Sequence, residues 1–236
     1  MSDSSSVGVL SNIFTAPLQA FAAIKERPNP WVPLLGIILS ICVVQFTYTQ
    51  VVDLPWLIDW QLQQGGANLT DEQRAQAVDG AMRIPPLAYG FIAAVPSAII
   101  ILIVYAIIAL YYLAVSFATN DGIKYGQWLA LIAWCSLPSV FGQIASLVNL
   151  MVTDARFLPP QALNPLSFAS LLGIDPQGAR GVETILVQLD VTALWSTVLQ
   201  ILGYQAFTQR SIGVATVVVL GPLAIIVLIA SLWALI

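Results

Sequence analysis

The sequence predicts an all-α polytopic integral membrane protein, a bundle of five transmembrane helices flanked by amphipathic or interfacial helices. Two observations carry this. Of the 236 residues, 58% are hydrophobic and 8% charged, against about 25% charged in an ordinary soluble domain. One soluble core of this size cannot hide so much apolar surface, so the remainder is expected to face lipid. The apolar runs, such as 98–110 and 214–219, are also apolar on every side, with no two-residue alternation. In lipid, backbone groups find partners only in one another, and runs of this kind satisfy them as helices rather than as a barrel.

A hydrocarbon core of about 30 Å requires about 20 mostly apolar helical residues. Five segments qualify: 31–52, 87–118, 126–152, 184–207 and 212–236. They define a membrane domain, 29–236, preceded by an N-terminal segment, 1–28. At about 1.5 Å per residue the second segment exceeds a perpendicular crossing. A bend is therefore expected at Pro96, whose ring removes a backbone donor and crowds the preceding turn, and Pro138 is expected to bend the third span likewise. Residues 1–6 are small, polar and acidic, unlike a secretory signal, so the first span is expected to act as its own insertion signal. Lys25, Arg27, Lys124 and Arg210 flank the spans and short connections of one side, and the positive-inside rule makes that side cytoplasmic. This places the N-terminus inside and the C-terminus outside, with two long connections on the outer face.

The segments between spans carry local signals. Ile13, Phe14, Leu18, Phe21 and Ile24 recur at helical spacing, predicting one amphipathic helix capped by Ser11 or Asn12. Its polar face has few cations, so packing against the spans is favoured over binding anionic lipid. Trp56 and Trp60 form an interfacial i, i+4 pair. After Gly65-Gly66, Thr70 and Gln73 read as a capping box that opens a second short helix, ended by Pro85-Pro86. Asn68-Leu69-Thr70 also fits a glycosylation acceptor, but capping already accounts for the threonine. The stretch from Asn164 to Gly173 reads as a surface helix closed by its glycine. Small residues four apart, at Ala114/Ala118, Gly142/Ser146 and Ala230/Ala234, permit close helix approach.

The chemistry on offer is sparse. The chain has no histidine, no phosphate-binding glycine loop, no metal-ligand spacing, no nucleophile elbow and no basic aromatic patch for nucleic acid, so neither an enzyme, a cofactor, a metal nor a nucleic-acid partner is indicated. Cys42 and Cys135 lie in apolar runs and read as small hydrophobes. Asp190 stands out, set among Val187, Leu189 and Val191 in the fourth span. An ionised carboxylate in hydrocarbon costs about 2.5–3.5 kcal/mol on insertion scales, so it must face protein or water. Gln45, Tyr48, Gln143, Asn149 and Gln188 fall in the same outer half, and together with Asp190 they define a candidate polar cavity open to the outside. The alternative is that Asp190 lies near the interface, hydrogen-bonds neighbouring spans and fixes their packing.

Three stretches resemble the bacterial branch of the YIP (Ypt-interacting protein) family of five-span membrane proteins. They are Phe14-x-x-Pro17-x-x-x-Phe21 with Ile24, Pro28, Trp31 and Pro33; Trp128 to Pro138; and Leu163-Asn164-Pro165-Leu166-Ser167 with the later Leu189-Asp190, Leu194-Trp195, Gly203, Arg210 and Gly213. The Asp-Leu-Tyr and Gly-Tyr-x-Pro signatures of the eukaryotic branch, whose members bind Rab-type GTPases, do not occur. The resemblance implies five spans, a bacterial inner-membrane location and a non-enzymatic scaffold or interaction role. The implied partners are the lipid bilayer and a membrane protein or a second copy of the chain. The competing reading is a small-solute transporter or channel using the cavity around Asp190.

Overall fold

The N-terminal amphipathic stretch folds as two helices rather than one, α1 (Ser6–Thr15) and α2 (Pro17–Glu26), in a computed structural model that describes residues 6–64, 69–175, 179 and 182–233. Pro17 sets the division, because it has no N–H to continue the helix and suits a first helical position. The start at Ser6 also displaces the expected cap at Ser11 or Asn12. Both helices pack inward: Ile13, Phe21 and Ile24 are buried, whereas Leu18 is 63% exposed.

Helix α3 (Trp31–Val51) leads to α4 (Leu54–Gln64) and α5 (Asp71–Met82). Thr70 and Gln73 close the expected capping box, each side chain bonding the other's backbone N–H at 3.3 and 2.9 Å. Gly65, Gly66 and Asn68 lie outside the described residues, as does Ala234. Helix α6 (Pro86–Thr119) is continuous through Pro96 for 34 residues. Only 17% of its most apolar window is buried, and Phe91, Val95, Ile99, Ile103 and Ile107 stand exposed along it, as a helix facing hydrocarbon requires. At Pro138 the expected bend is a break: a turn at residues 136–138 separates α7 (Tyr125–Cys135) from α8 (Ser139–Val152). After two single 3-10 turns, Ala155–Phe157 and Pro160–Ala162, come α9 (Phe168–Leu172), closed by Gly173 at φ 67°, and α10 (Val182–Gln188), α11 (Val191–Thr208) and α12 (Ile212–Trp233).

Among the described residues, three helical stretches have the length and hydropathy to cross a membrane: Trp31–Val51, Leu87–Thr119 and Tyr125–Val152. The predicted fourth span, 184–207, is not one helix. It divides between α10 and α11 at residues 189–190, because Asp190 caps α11 instead of continuing α10.

The described residues hold two hydrophobic cores. The larger joins α1, α2, α3, α6, α7, α11 and α12 around Trp128, which stacks on Tyr204 (5.4 Å, 19°) and meets Tyr112 edge-on at 5.3 Å. The smaller lies at the end carrying the long connections, the loop end, and joins Tyr48, Val52, Leu57, Leu150, Ala155 and Leu163. At the opposite, basic end, the cation-bearing connections are tied together. Lys25 Nζ donates to the Phe207 carbonyl, and Gln127 donates to the Lys25 carbonyl at 2.8 Å.

Candidate functional site

Asn164-Pro165 is a strong turn signal, since asparagine can bond its own backbone two residues on. Asn164 does so, its Oδ1 accepting from the Leu166 N–H at 2.9 Å. That turn exposes the next residues for pairing with the residues ahead of α11. The Phe168 N–H donates to the Leu189 carbonyl (2.9 Å) and the Val191 N–H to the Leu166 carbonyl (3.2 Å), setting Ser167 and Asp190 opposite each other in an isolated antiparallel bridge.

Asp190 is extended (φ −132°, ψ 172°) and occupies the N-cap of α11. Its Oδ1 accepts from the Ala193 N–H (2.6 Å) and the Thr192 hydroxyl (2.7 Å), and its Oδ2 accepts from the Asn164 amide (2.5 Å). The carboxylate also faces the positive end of the α11 dipole. These bonds supply what water would have supplied, so the charge finds company within the protein. Space for it comes from Gly142 on α8: a Cβ there would stand 3.2 Å from Asp190 Oδ2 and 3.3 Å from Thr192 Oγ1. One turn further along α8, Ser146 bonds back to the Gly142 carbonyl at 3.0 Å.

The six residues singled out from sequence are not brought together in one place. Asn149 lies farther along α8, where its amide donates to the carbonyls of Ala162 (3.2 Å) and Leu163 (3.0 Å), the residues just before Asn164. Tyr48 is buried near the end of α3 and donates to the Leu158 carbonyl at 2.7 Å. Tyr48, Asn149 and Asp190 therefore fasten one connection, residues 153–167, to three different helices. Gln45 and Tyr48 also line a cavity of about 340 Å³ with Thr49, Gln61 and Tyr89, beneath α4. Asp190 is not part of that lining. Gln143 is half-buried on α8 and Gln188 is exposed at the end of α10; neither bonds Asp190.

Sequence reasoning missed Asp190's partners Asn164, Thr192 and Gly142. The signal was present: an aspartate directly before an apolar run is an N-cap pattern. It was obscured because the residues before Asp190 are equally apolar, so hydropathy runs unbroken through the cap.

At the basic end, Arg210 donates from Nη2 and Nε to Asp121 Oδ1 (2.8 and 3.1 Å) and from Nη2 to the Thr119 carbonyl (2.9 Å). Burial of Asp121 opposes its ionisation. Hydrogen bonds from Thr119 and Arg210, with the charges of Arg210 and Lys25, outweigh that burial and hold the carboxyl below its usual range.

Comparison with curated proteins and with solved structures gives no match. The family model described as the Yip1 domain matches residues 11–234, which includes the smaller hydrophobic core, all of the larger one but Val9, the Asp190 junction and the Asp121–Arg210 pair. With a match across nearly its whole length and apolar helices of membrane-crossing length, this chain belongs to the Yip1 domain family and is a multi-pass membrane protein of that type.

Proposed function

We propose that this chain is a non-enzymatic membrane scaffold or interaction protein of the bacterial branch of the YIP family. It presents its long connections at the loop end to a membrane protein partner or a second copy of itself. In this reading α11 and α12 supply the fourth and fifth crossings, the membrane is the bacterial inner membrane, the N-terminus is inside and the C-terminus outside.

The observation that supports it is the use made of the polar side chains. Tyr48, Asn149 and Asp190 lie where a solute path would need free groups, yet each bonds the 153–167 connection or its neighbours. Groups so engaged make a rigid platform and leave little for coordinating a passing solute. The transport reading rests on the cavity at Gln45 and Tyr48.

Photo-crosslinking tests the proposal, with a crosslinking residue placed at exposed Phe157 in the connection and the protein recovered from native membranes. A stoichiometric, position-dependent adduct with one protein or with itself is the expected result. Recovery alone, with lipid only, would overturn the scaffold role. Single cysteines placed at Ser11 and at Val78, probed with an impermeant thiol reagent on intact cells, check the orientation: labelling is expected at position 78 and not at position 11.

A further inference from the structure

The basic end carries a groove of about 480 Å³ between α2 and the turn joining α11 to α12, lined by Leu18, Phe21, Lys25, Gln205, Gln209 and Arg210. Its volume falls within the range of small-ligand sites. Two of its lining residues are cationic and two carry neutral amides, and none of the described residues that line it is acidic. The carboxylate of Asp121, which pairs with Arg210, is only 7% exposed and is not among the described residues of the lining.

The donors in the groove are incompletely used by the protein. Lys25 Nζ has three N–H groups, of which one goes to the Phe207 carbonyl. Arg210 spends Nε and Nη2 on Asp121 and Thr119, which leaves Nη1 for another acceptor. Gln209 donates one of its two amide hydrogens to the Ala206 carbonyl at 2.7 Å and keeps the other. Leu18, 63% exposed, and the buried Phe21 give the lining an apolar side. The groove also sits where α2, α11 and α12 end, which in a membrane protein is headgroup depth. Cations, amides and an apolar edge at that depth match the three zones of a phospholipid: phosphate, ester region and the start of the acyl chains.

We infer that this groove binds a phosphate group of net negative charge, with Lys25 and Arg210 as its charge partners and Gln205 and Gln209 as hydrogen-bond partners. The phosphate belongs to an anionic lipid headgroup or to free inorganic phosphate. The site is independent of the partner bound at the loop end.

The full chain, purified in neutral detergent, is titrated with dioctanoyl phosphatidylglycerol, dioctanoyl phosphatidylcholine and inorganic phosphate, and retention is read by native mass spectrometry and thermal unfolding. Preferential retention of the phosphatidylglycerol over the phosphatidylcholine is the expected result. Gln205→Glu places an anion in the groove while leaving every bond named above intact, and it should weaken that retention about fivefold or more, as should Lys25→Gln. Arg83→Gln, at an exposed pair on α5, should change nothing. Protection by inorganic phosphate that Gln205→Glu abolishes upholds the site and assigns it to free phosphate; protection by the lipid alone assigns it to a headgroup. Equal retention of both lipids with no phosphate effect overturns the inference, and so does a Gln205→Glu protein that binds as well as the parent. Because Gln205→Glu leaves the bond from Lys25 to the Phe207 carbonyl alone, a folding defect in Lys25→Gln does not blur the result.

Discussion

Exchanging the charge between Asp190 and Asn164 tests whether their hydrogen bond holds the loop end together. In Asp190→Asn the cap survives, since asparagine caps a helix as well as aspartate. The new amide, however, meets the Asn164 amide, two donors where one donated 2.5 Å to an acceptor. Asn164 cannot rotate to resolve this without giving up the Leu166 N–H. The loss is one charge-assisted bond, about 1.5–3 kcal/mol. Asn164→Asp takes away the donor and sets two carboxylates against each other, a repulsion that costs up to about 4 kcal/mol. In the double variant the bond returns with its direction reversed, and what remains is the lost charge at the α11 N-terminus, about 0.3–1 kcal/mol. Both side chains are half-buried, which favours the lower half of each range.

At about 2–4 °C per kcal/mol for a chain of this length, the unfolding temperature should fall by about 3–12 °C in Asp190→Asn, up to about 16 °C in Asn164→Asp, and about 1–4 °C in the double variant. Thermal unfolding in detergent, followed by tryptophan fluorescence, measures all three. A double variant depressed by the sum of the two singles would show that the residues act separately and would refute the argument.

Three further outcomes follow from the packing and charges. Trp128→Ala removes a fully buried ring between Tyr112, Tyr204 and Phe207 and should cost about 3–5 kcal/mol, seen as loss of monodisperse protein in size-exclusion chromatography. A Cβ at Gly203 would stand 2.5 Å from Leu131 Cδ1 and 3.2 Å from Phe21 Cε1; Gly203→Val should cost about 1–3 kcal/mol by overpacking, and Gly203→Ala less, because the end of Leu131 can move. Asp121 is held below its ordinary pKa of 3.8, so its contribution is fully present above that value and is lost as pH falls through the lower folded value; unfolding temperatures from pH 7 to 3 should drop more steeply for the parent than for Asp121→Asn.

Much of the architecture is legible without coordinates. Composition and unbroken apolar runs dictate a helical membrane protein, because lipid offers the backbone no other partner. Local chemistry placed the capping box at Thr70 and Gln73 and the glycine stop at Gly173, since each depends on residues within a turn of one another; at Pro138 it gave a bend where the fold has a break. Hydropathy failed where a helix ends inside an apolar run. It joined α10 to α11 because Leu189 and Val191 look alike whichever side of a cap they occupy. It also divided Asn164 from Asp190, 26 residues apart, although the resemblance had drawn on both stretches.

Pairing across that distance is a tertiary event. Only the folded chain brings the Asn164 turn onto the Asp190 cap, opens room at Gly142, and turns Tyr48 and Asn149 toward one connection and not toward a common cavity. The basic end divides the same way. Sequence determined that Lys25, Lys124 and Arg210 belong to one side, because charge avoids hydrocarbon. The fold decided that Asp121 holds one face of Arg210 and leaves Lys25 and Arg210 lining a groove together, because two cations meet only where helix packing has fixed where the helices end.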